Sequence, residues 1–169
     1  MNQPENLYTP GCIRTVSGVY FDIANPSPDM VNIEDIAHAL SMAPRFGGHL
    51  PVFFSVAQHC VMAAGYSEPR IRFDVLMHDA SEGYLLDLPS PIKALIPEYK
   101  ALEARIMRVL AGKFGFTYPI SEEVHKIDRE QLEWEWSRIM LQPKTTRTYW
   151  TQKKAKREFL KMFHSLRNT

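Results

Sequence analysis

Phe73-Asp-Val-Leu-Met-His-Asp-Ala-Ser-Glu-Gly83 runs from a hydrophobic stretch into an imidazole and a carboxylate standing side by side, His78 and Asp79. A second carboxylate, Glu82, follows three residues later. Val75, Leu76 and Met77 belong in a core, and ionisable groups beside them are costly to bury unless something compensates them. A divalent cation is the simplest compensation, because it takes a neutral imidazole and an ionised carboxylate together. One His-Asp pair carries little weight alone, so the remaining ligands have to come from other parts of the chain.

Working outward, the stretch sits in a series of amphipathic helices. Asn32 caps a helix with Asp35 in its first turn and Ile33, Ile36, Ala37 and Leu40 as its apolar stripe, ending near Pro44. Ser55-Val-Ala-Gln58 reads as a capping box opening a helix to about Gly65, with His59 in its second turn among Val56, Cys60 and Ala63. Ser67-Glu-Pro-Arg70 starts the helix that carries Leu76 and Met77 and runs to near Gly83. Asp87-Leu-Pro-Ser-Pro91 is a rigid loop, and Ile92 to Ile96 form at most one short turn. A strong helical period then covers Glu98 to about Phe114. Ser121 caps the next helix, whose apolar face is read as Val124, Ile127, Leu132 and Ile139, with Asp128 on the same face. Residues 141–148 read as loop, and Thr151 to Leu166 as a last helix with Ala155, Phe159, Leu160, Phe163 and Leu166 inward.

Only one short stretch reads as β structure. Two β-prone runs flank Ser17-Gly18, giving a hairpin over residues 12–22. The expected architecture is all-α: a single domain over residues 1–169, built as a helical bundle with a small N-terminal β-hairpin.

Composition excludes several classes. The chain's 169 residues suffice to bury a core without staples. Its two cysteines, Cys12 and Cys60, make neither a disulfide framework nor a thiolate metal site, which fits a reducing cytoplasm. No apolar run has the length of a membrane span, and the polar start Met1-Asn-Gln-Pro-Glu-Asn6 is no signal peptide. A cytoplasmic protein with no membrane partner is expected. Net charge is +1, yet the segment from Pro143 to Thr169 holds eight Lys or Arg against Glu158 alone. This basic helix, residues 151–167, reads first as a solvated face, and no nucleic-acid polymer is expected as a partner.

Three helices thus carry polar residues on or beside apolar stripes: His59, the His78-Asp79 pair with Glu82, and Asp128. A lone histidine on an apolar face is usually a satisfied core residue. Two imidazoles and two carboxylates together supply four nitrogen and oxygen ligands for one ion. His38, His125 and His164 read as structural, and Cys60 as core packing.

The ordered set His59, His78-Asp79, Asp128 resembles that of the HD-domain metal-dependent phosphohydrolases. Arg45-Phe-Gly-Gly-His49, Ser55-Val-Ala-Gln-His59, His78-Asp-Ala-Ser-Glu82 and Asp87-Leu-Pro-Ser-Pro-Ile-Lys93 are similar to motifs of the bacterial HD-domain 5′-deoxynucleotidases and their phage and prophage relatives. The likeness covers roughly residues 31–140. It implies that His59, His78, Asp79 and Asp128 ligate one divalent metal ion, with Mn, Co, Zn, Fe and Ni all admitted by such ligands. It implies Glu82 as acid/base carboxylate, Arg45 as phosphate-binding arginine, and Asp87 as the acid near the sugar or scissile phosphate. Two departures stand out. Phe46 occupies the place of a tryptophan, which bears on sugar and base contacts. The 19 positions from His59 to His78 are fewer than in those enzymes, so the pocket rim differs.

The residues themselves agree with this chemistry. Arg45 offers a planar fork for phosphate beside glycines that let the chain close on a ligand. Lys93 is a second candidate phosphate clamp, and His49 can reach phosphate or support a ligand. The expected function is hydrolysis of deoxynucleoside monophosphates. Its alternatives are a triphosphohydrolase, as in phage relatives that split dATP into nucleoside and triphosphate, and a non-catalytic nucleotide-binding module. Lys93 and the basic tail are counted here as places for extra phosphates. The resemblance further implies a homo-oligomer, and a host-cytoplasm location for a phage-encoded chain.

Overall fold

The computed structural model describes residues 9–142 and 149–167. The chain is mostly helical, with one two-stranded antiparallel sheet, as the hydrophobic periods lead one to expect. Strands β1 (Cys12–Arg14) and β2 (Tyr20–Asp22) pair with Ile13 opposite Phe21. The helices that follow are α1 (Ile33–Met42), α2 (Val56–Tyr66), α3 (Arg72–Met77), α4 (Glu82–Leu85), α5 (Ser90–Lys93), α6 (Pro97–Phe114), α7 (Glu122–Glu135) and α8 (Gln152–Arg167).

Helix α2 is the axis of the bundle, packed by α1, α3, α7 and α8. Its sequence explains this position. Val56, Ala57, Cys60, Val61, Ala63 and Ala64 are all buried, so it is apolar around its circumference rather than on one stripe. Ser55 starts it by accepting from Gln58 N at 3.2 Å, a cap worth about 1 kcal/mol. The reciprocal half of the expected capping box is not made. Gln58 instead accepts from Trp150 N at 2.9 Å, tying α2 to the segment that leads into α8.

The hairpin serves the first helix. The Ser17 N–H and hydroxyl both donate to Asp35, at 2.9 and 2.6 Å, and Phe21 stacks on Tyr84 of α4 with ring centroids 3.8 Å apart. A Cβ on Gly83 would lie 3.3 Å from the Ile36 Cα, so α4 rests directly on the backbone of α1. These contacts hold the segment carrying Glu82 against the bundle.

Two expectations about the helices are corrected. The helix carrying Leu76 and Met77 does not run on to Gly83: α3 ends at Met77 and a tight turn precedes α4. His78 Nδ1 donates at 2.6 Å to the Val75 carbonyl, the acceptor a continuing helix would offer to residue 79. Glu82 N then bonds back to the Asp79 carbonyl at 2.9 Å, an i→i+3 pattern that brings residues 79 and 82 onto one side. The inward face of α7 is also different. Gln131 and Glu135 are buried beside Val124, whereas Leu132 is 39% exposed. A π-helical turn over Trp136–Met140 follows, and Ile139 returns to the core.

Smaller differences remain. The short helix expected over 92–96 lies at Ser90–Lys93, so that Pro91, read as part of the loop, sits in its first turn. Of the loop expected over 141–148, positions 143–148 lie outside the described residues. Helix α8 buries Ala155, Phe159 and Phe163 and sets Lys156 against Glu34 of α1 at 3.0 Å. Among the described residues no helix is long and apolar enough to cross a membrane.

Candidate metal centre

His59 comes from α2, His78 and Asp79 from the turn after α3, and Asp128 from α7. Their ligand atoms converge. His59 Nε2 lies 3.3 Å from His78 Nε2, 3.2 Å from Asp128 Oδ1 and 3.6 Å from Asp79 Oδ2. His78 Nε2 lies 3.2 Å from Asp79 Oδ2 and 3.5 Å from Asp128 Oδ1. His59, His78 and Asp128 form a group that could hold a metal ion, each offering an atom within 4.8 Å of the others. Cys60, His78 and Asp79 form a second such group. The Cys60 sulfur, assigned to core packing from the sequence, therefore borders the same spot.

The outer ring nitrogens determine what the inner ones can do. His59 Nδ1 donates to Glu135 Oε1 at 2.6 Å, and His78 Nδ1 to the Val75 carbonyl. In the neutral imidazole this leaves Nε2 as a bare acceptor. Two such acceptors face each other with two carboxylates around them, and only protons or a cation can reconcile that arrangement. Asp79 Oδ2 is buried and accepts no hydrogen bond among the described residues. An orphaned carboxylate oxygen between two imidazoles is what a cation site looks like before the cation is counted, so the donor set fits a divalent ion.

Without a cation, protons do the work. Burial disfavours the charged imidazole of His78, but Asp79 and Asp128 outweigh it and hold its pKa well above 6.5. His59 is raised too: burial and Arg45 oppose the proton, while Glu135 and Asp128 retain it. Asp79 and Asp128 are pushed below the usual carboxylate range, the two imidazoles prevailing over burial. A cation must displace the imidazole protons, so affinity for Co2+ is expected to climb as pH rises above 6.5 through the raised imidazole values, with proton release. The linked stability has a definite sign. Raised imidazole values stabilise the metal-free fold below 6.5, and that stabilisation fades as pH rises through them. The gap in Tm between metal-loaded and chelated protein should therefore widen toward alkaline pH. Thermal melts with and without chelator across that range measure it, and a constant gap would contradict it.

The other predicted residues line one cavity of about 680 Å3 beside this cluster: Arg45, Phe46, His49, Glu82, Asp87 and Lys93. Arg45 is buried. Its Nε donates to Glu135 Oε2 at 3.2 Å, and its Nη1 lies 3.5 Å from Asp87 and 3.7 Å from Asp79. The turn that presents it is strained, with Phe46 at φ 55° and Gly47 at φ 61°. A Cβ on Gly47 would come within 3.3 Å of Pro89, which keeps this turn against the proline loop. Glu82 is buried, and burial together with Asp79 and Asp87 lifts its pKa well above 4.5. Lys93 is already engaged, donating to Glu82 at 3.0 Å and to Glu103 at 3.2 Å. No residue of α8 lines the cavity, and Lys144 and Arg147 of the basic tail lie outside the described residues.

The sequence reading missed Glu135, Gln131 and Trp136. Gln131 donates to Glu135 at 3.0 Å, and Trp136 lines the cavity near Phe46, ring centroids 6.2 Å apart. A signal was present. Val124, Asp128, Gln131 and Glu135 recur at helical spacing, and polar residues persisting on the face of a buried ligand point to a shared site.

No family model matches the chain. It is 41% identical over 116 residues to YfdR, an uncharacterized protein of Escherichia coli, in an alignment covering 69% of this chain and 65% of YfdR. It is also 34% identical over 113 residues to an uncharacterized protein of Rhodobacter capsulatus, covering 60% of this chain and 57% of that protein. The matched region thus spans less than two thirds of either relative's length.

Proposed function

We propose that the chain is an HD-domain, metal-dependent phosphohydrolase that removes phosphate from deoxynucleoside monophosphates. One observation carries the reading: two imidazole acceptors and two carboxylates converge, with the outer nitrogen of each ring already engaged. A divalent cation held by His59, His78, Asp79 and Asp128 would lower the pKa of a coordinated water and neutralise phosphoryl charge.

The remaining chemistry falls to the chain's own groups. Arg45 lines the cavity, with its Nη1 near Asp79 and Asp87, and is the group that would orient the phosphate by charge-assisted hydrogen bonds. Glu82, whose pKa burial and the carboxylates of Asp79 and Asp87 raise, is the group that would deliver a proton to the departing 5′-oxygen. Asp87, beside Arg45 in the cavity wall, is the acid assigned to the sugar or scissile phosphate of a bound nucleotide. Phe46 and Trp136 offer apolar surface for the nucleoside.

The cation inventory favours a monophosphate. Among the described residues that line the cavity, Arg45 and Lys93 are the cations, and both already face carboxylates. A monophosphate asks less of these two groups than a triphosphate does. The test is an assay of the metal-supplemented protein against each dNMP and dNTP, resolving nucleoside, phosphate and triphosphate by chromatography. Nucleoside and inorganic phosphate from monophosphates are expected. Intact triphosphate from one dNTP would replace this reading with a triphosphohydrolase, and binding without turnover under any metal would leave a nucleotide-sensing module.

A further inference from the structure

We infer that Glu135 is a positioning residue that ties the metal-binding half of the site to its phosphate-binding half. The inference rests on the reading just proposed for His59 and Arg45. Glu135 is fully buried near the end of α7. Its Oε1 accepts from His59 Nδ1 at 2.6 Å and from Gln131 Nε2 at 3.0 Å, and its Oε2 accepts from Arg45 Nε at 3.2 Å. One carboxylate thus joins groups that lie 76 and 90 residues away in the chain.

Each tether has a directional consequence. An acceptor on His59 Nδ1 holds the ring in the tautomer whose Nε2 lone pair faces the ligand cluster, and raises the basicity of that nitrogen. An acceptor on Arg45 Nε fixes that edge of the guanidinium, while Nη1 lies on the side of the cavity-lining Asp87 and Asp79. The contacts of Arg45 Nη1 with Asp87 and Asp79 are longer, at 3.5 and 3.7 Å, so the Glu135 contact is the one that orients the group. A buried carboxylate is costly unless its oxygens are satisfied, and here three donors satisfy them. A glutamine could not replace it. The amide oxygen would accept from one tether, and the amide N–H groups would confront the N–H of the other.

The same buried triad could serve packing alone, and the test must separate that case. Co2+ binding to metal-stripped protein, followed by calorimetry and by the visible absorption of the bound ion, reports on the His59 tether. Inorganic phosphate binding at saturating Co2+ reports on the Arg45 tether. Neither readout requires turnover, and both are made where the protein is shown to be folded by circular dichroism. For Glu135→Gln, Co2+ affinity is expected to fall by about 10- to 100-fold, with a shifted absorption band. Phosphate affinity should fall by about tenfold. Should that variant not fold, Glu135→Asp makes the same comparison, keeping the charge while shortening its reach. An unchanged affinity for either probe overturns the inference, because a packing role would leave both untouched in the folded protein. Failure of the unsubstituted protein to bind Co2+ at all would instead overturn the proposed function.

Discussion

Replacing His78 by alanine is expected to abolish tight metal binding and to cut turnover by at least about a thousandfold. His78 would contribute more than one of the four proposed ligands. Its Nε2 is within 3.5 Å of ligand atoms from His59, Asp79 and Asp128, so its removal opens the cluster from the middle. Its Nδ1 also ends α3 by taking the Val75 carbonyl, and the turn presenting Asp79 and Glu82 depends on that bond. A companion variant guards against simple misfolding. Asp128 is a ligand candidate with its side chain 33% exposed on the outer helix α7, so Asp128→Ala should leave the core intact. Both variants should lose the alkaline widening of the Tm gap described above. Calorimetric metal titration alongside the nucleotide assay checks the pair, and a variant that turns over normally without metal would remove the cation from the mechanism.

Glu82→Gln is expected to lower turnover by about 10²- to 10⁴-fold while metal affinity changes little. The contrast with His78 is the point of the experiment. Glu82 is not among the grouped ligand atoms, yet it lines the same cavity and is buried beside Asp79 and Asp87. Burial and those two acids make it hold its proton well above 4.5, as a general acid requires. The sign of the pH dependence follows. The protonated form is lost as pH rises through the raised value, so turnover should decline on the alkaline side, and the glutamine variant should lose that decline along with most of its rate. Lys93 works against the shift, pairing with Glu82 at 3.0 Å. A Glu82→Gln protein with full activity would assign the proton to another group.

Much of this arrangement was legible in the chain. Asn32, Ser55 and Ser121 mark helix starts and act as caps in the structure, and Gly115 closes α6 at φ 80°. The hairpin over 12–22 followed from a Ser17-Gly18 turn between β-prone runs. These signals are local, carried by residues a few positions apart. The polar residues singled out from apolar surroundings, His59, His78, Asp79, Asp128, Glu82, Arg45 and Asp87, do meet around one cavity and its bordering cluster.

The sequence by itself therefore determined the helical class, the hairpin and the chemical types available to the site, because capping, periodicity and the cost of stray charge act over short distances. Only the tertiary structure decided how those groups are held. Glu135 drew no attention in the sequence, and it became the acceptor shared by His59 and Arg45 only because α7 is laid against α2. Lys93 read as a candidate phosphate clamp until the fold set α5 beside Glu82 of α4 and Glu103 of α6 and paired it with both. The break after Met77 depended on an imidazole competing for a backbone carbonyl. A side chain's partners across the fold are set by packing between distant segments, and local spacing holds no record of which oxygen will face which nitrogen.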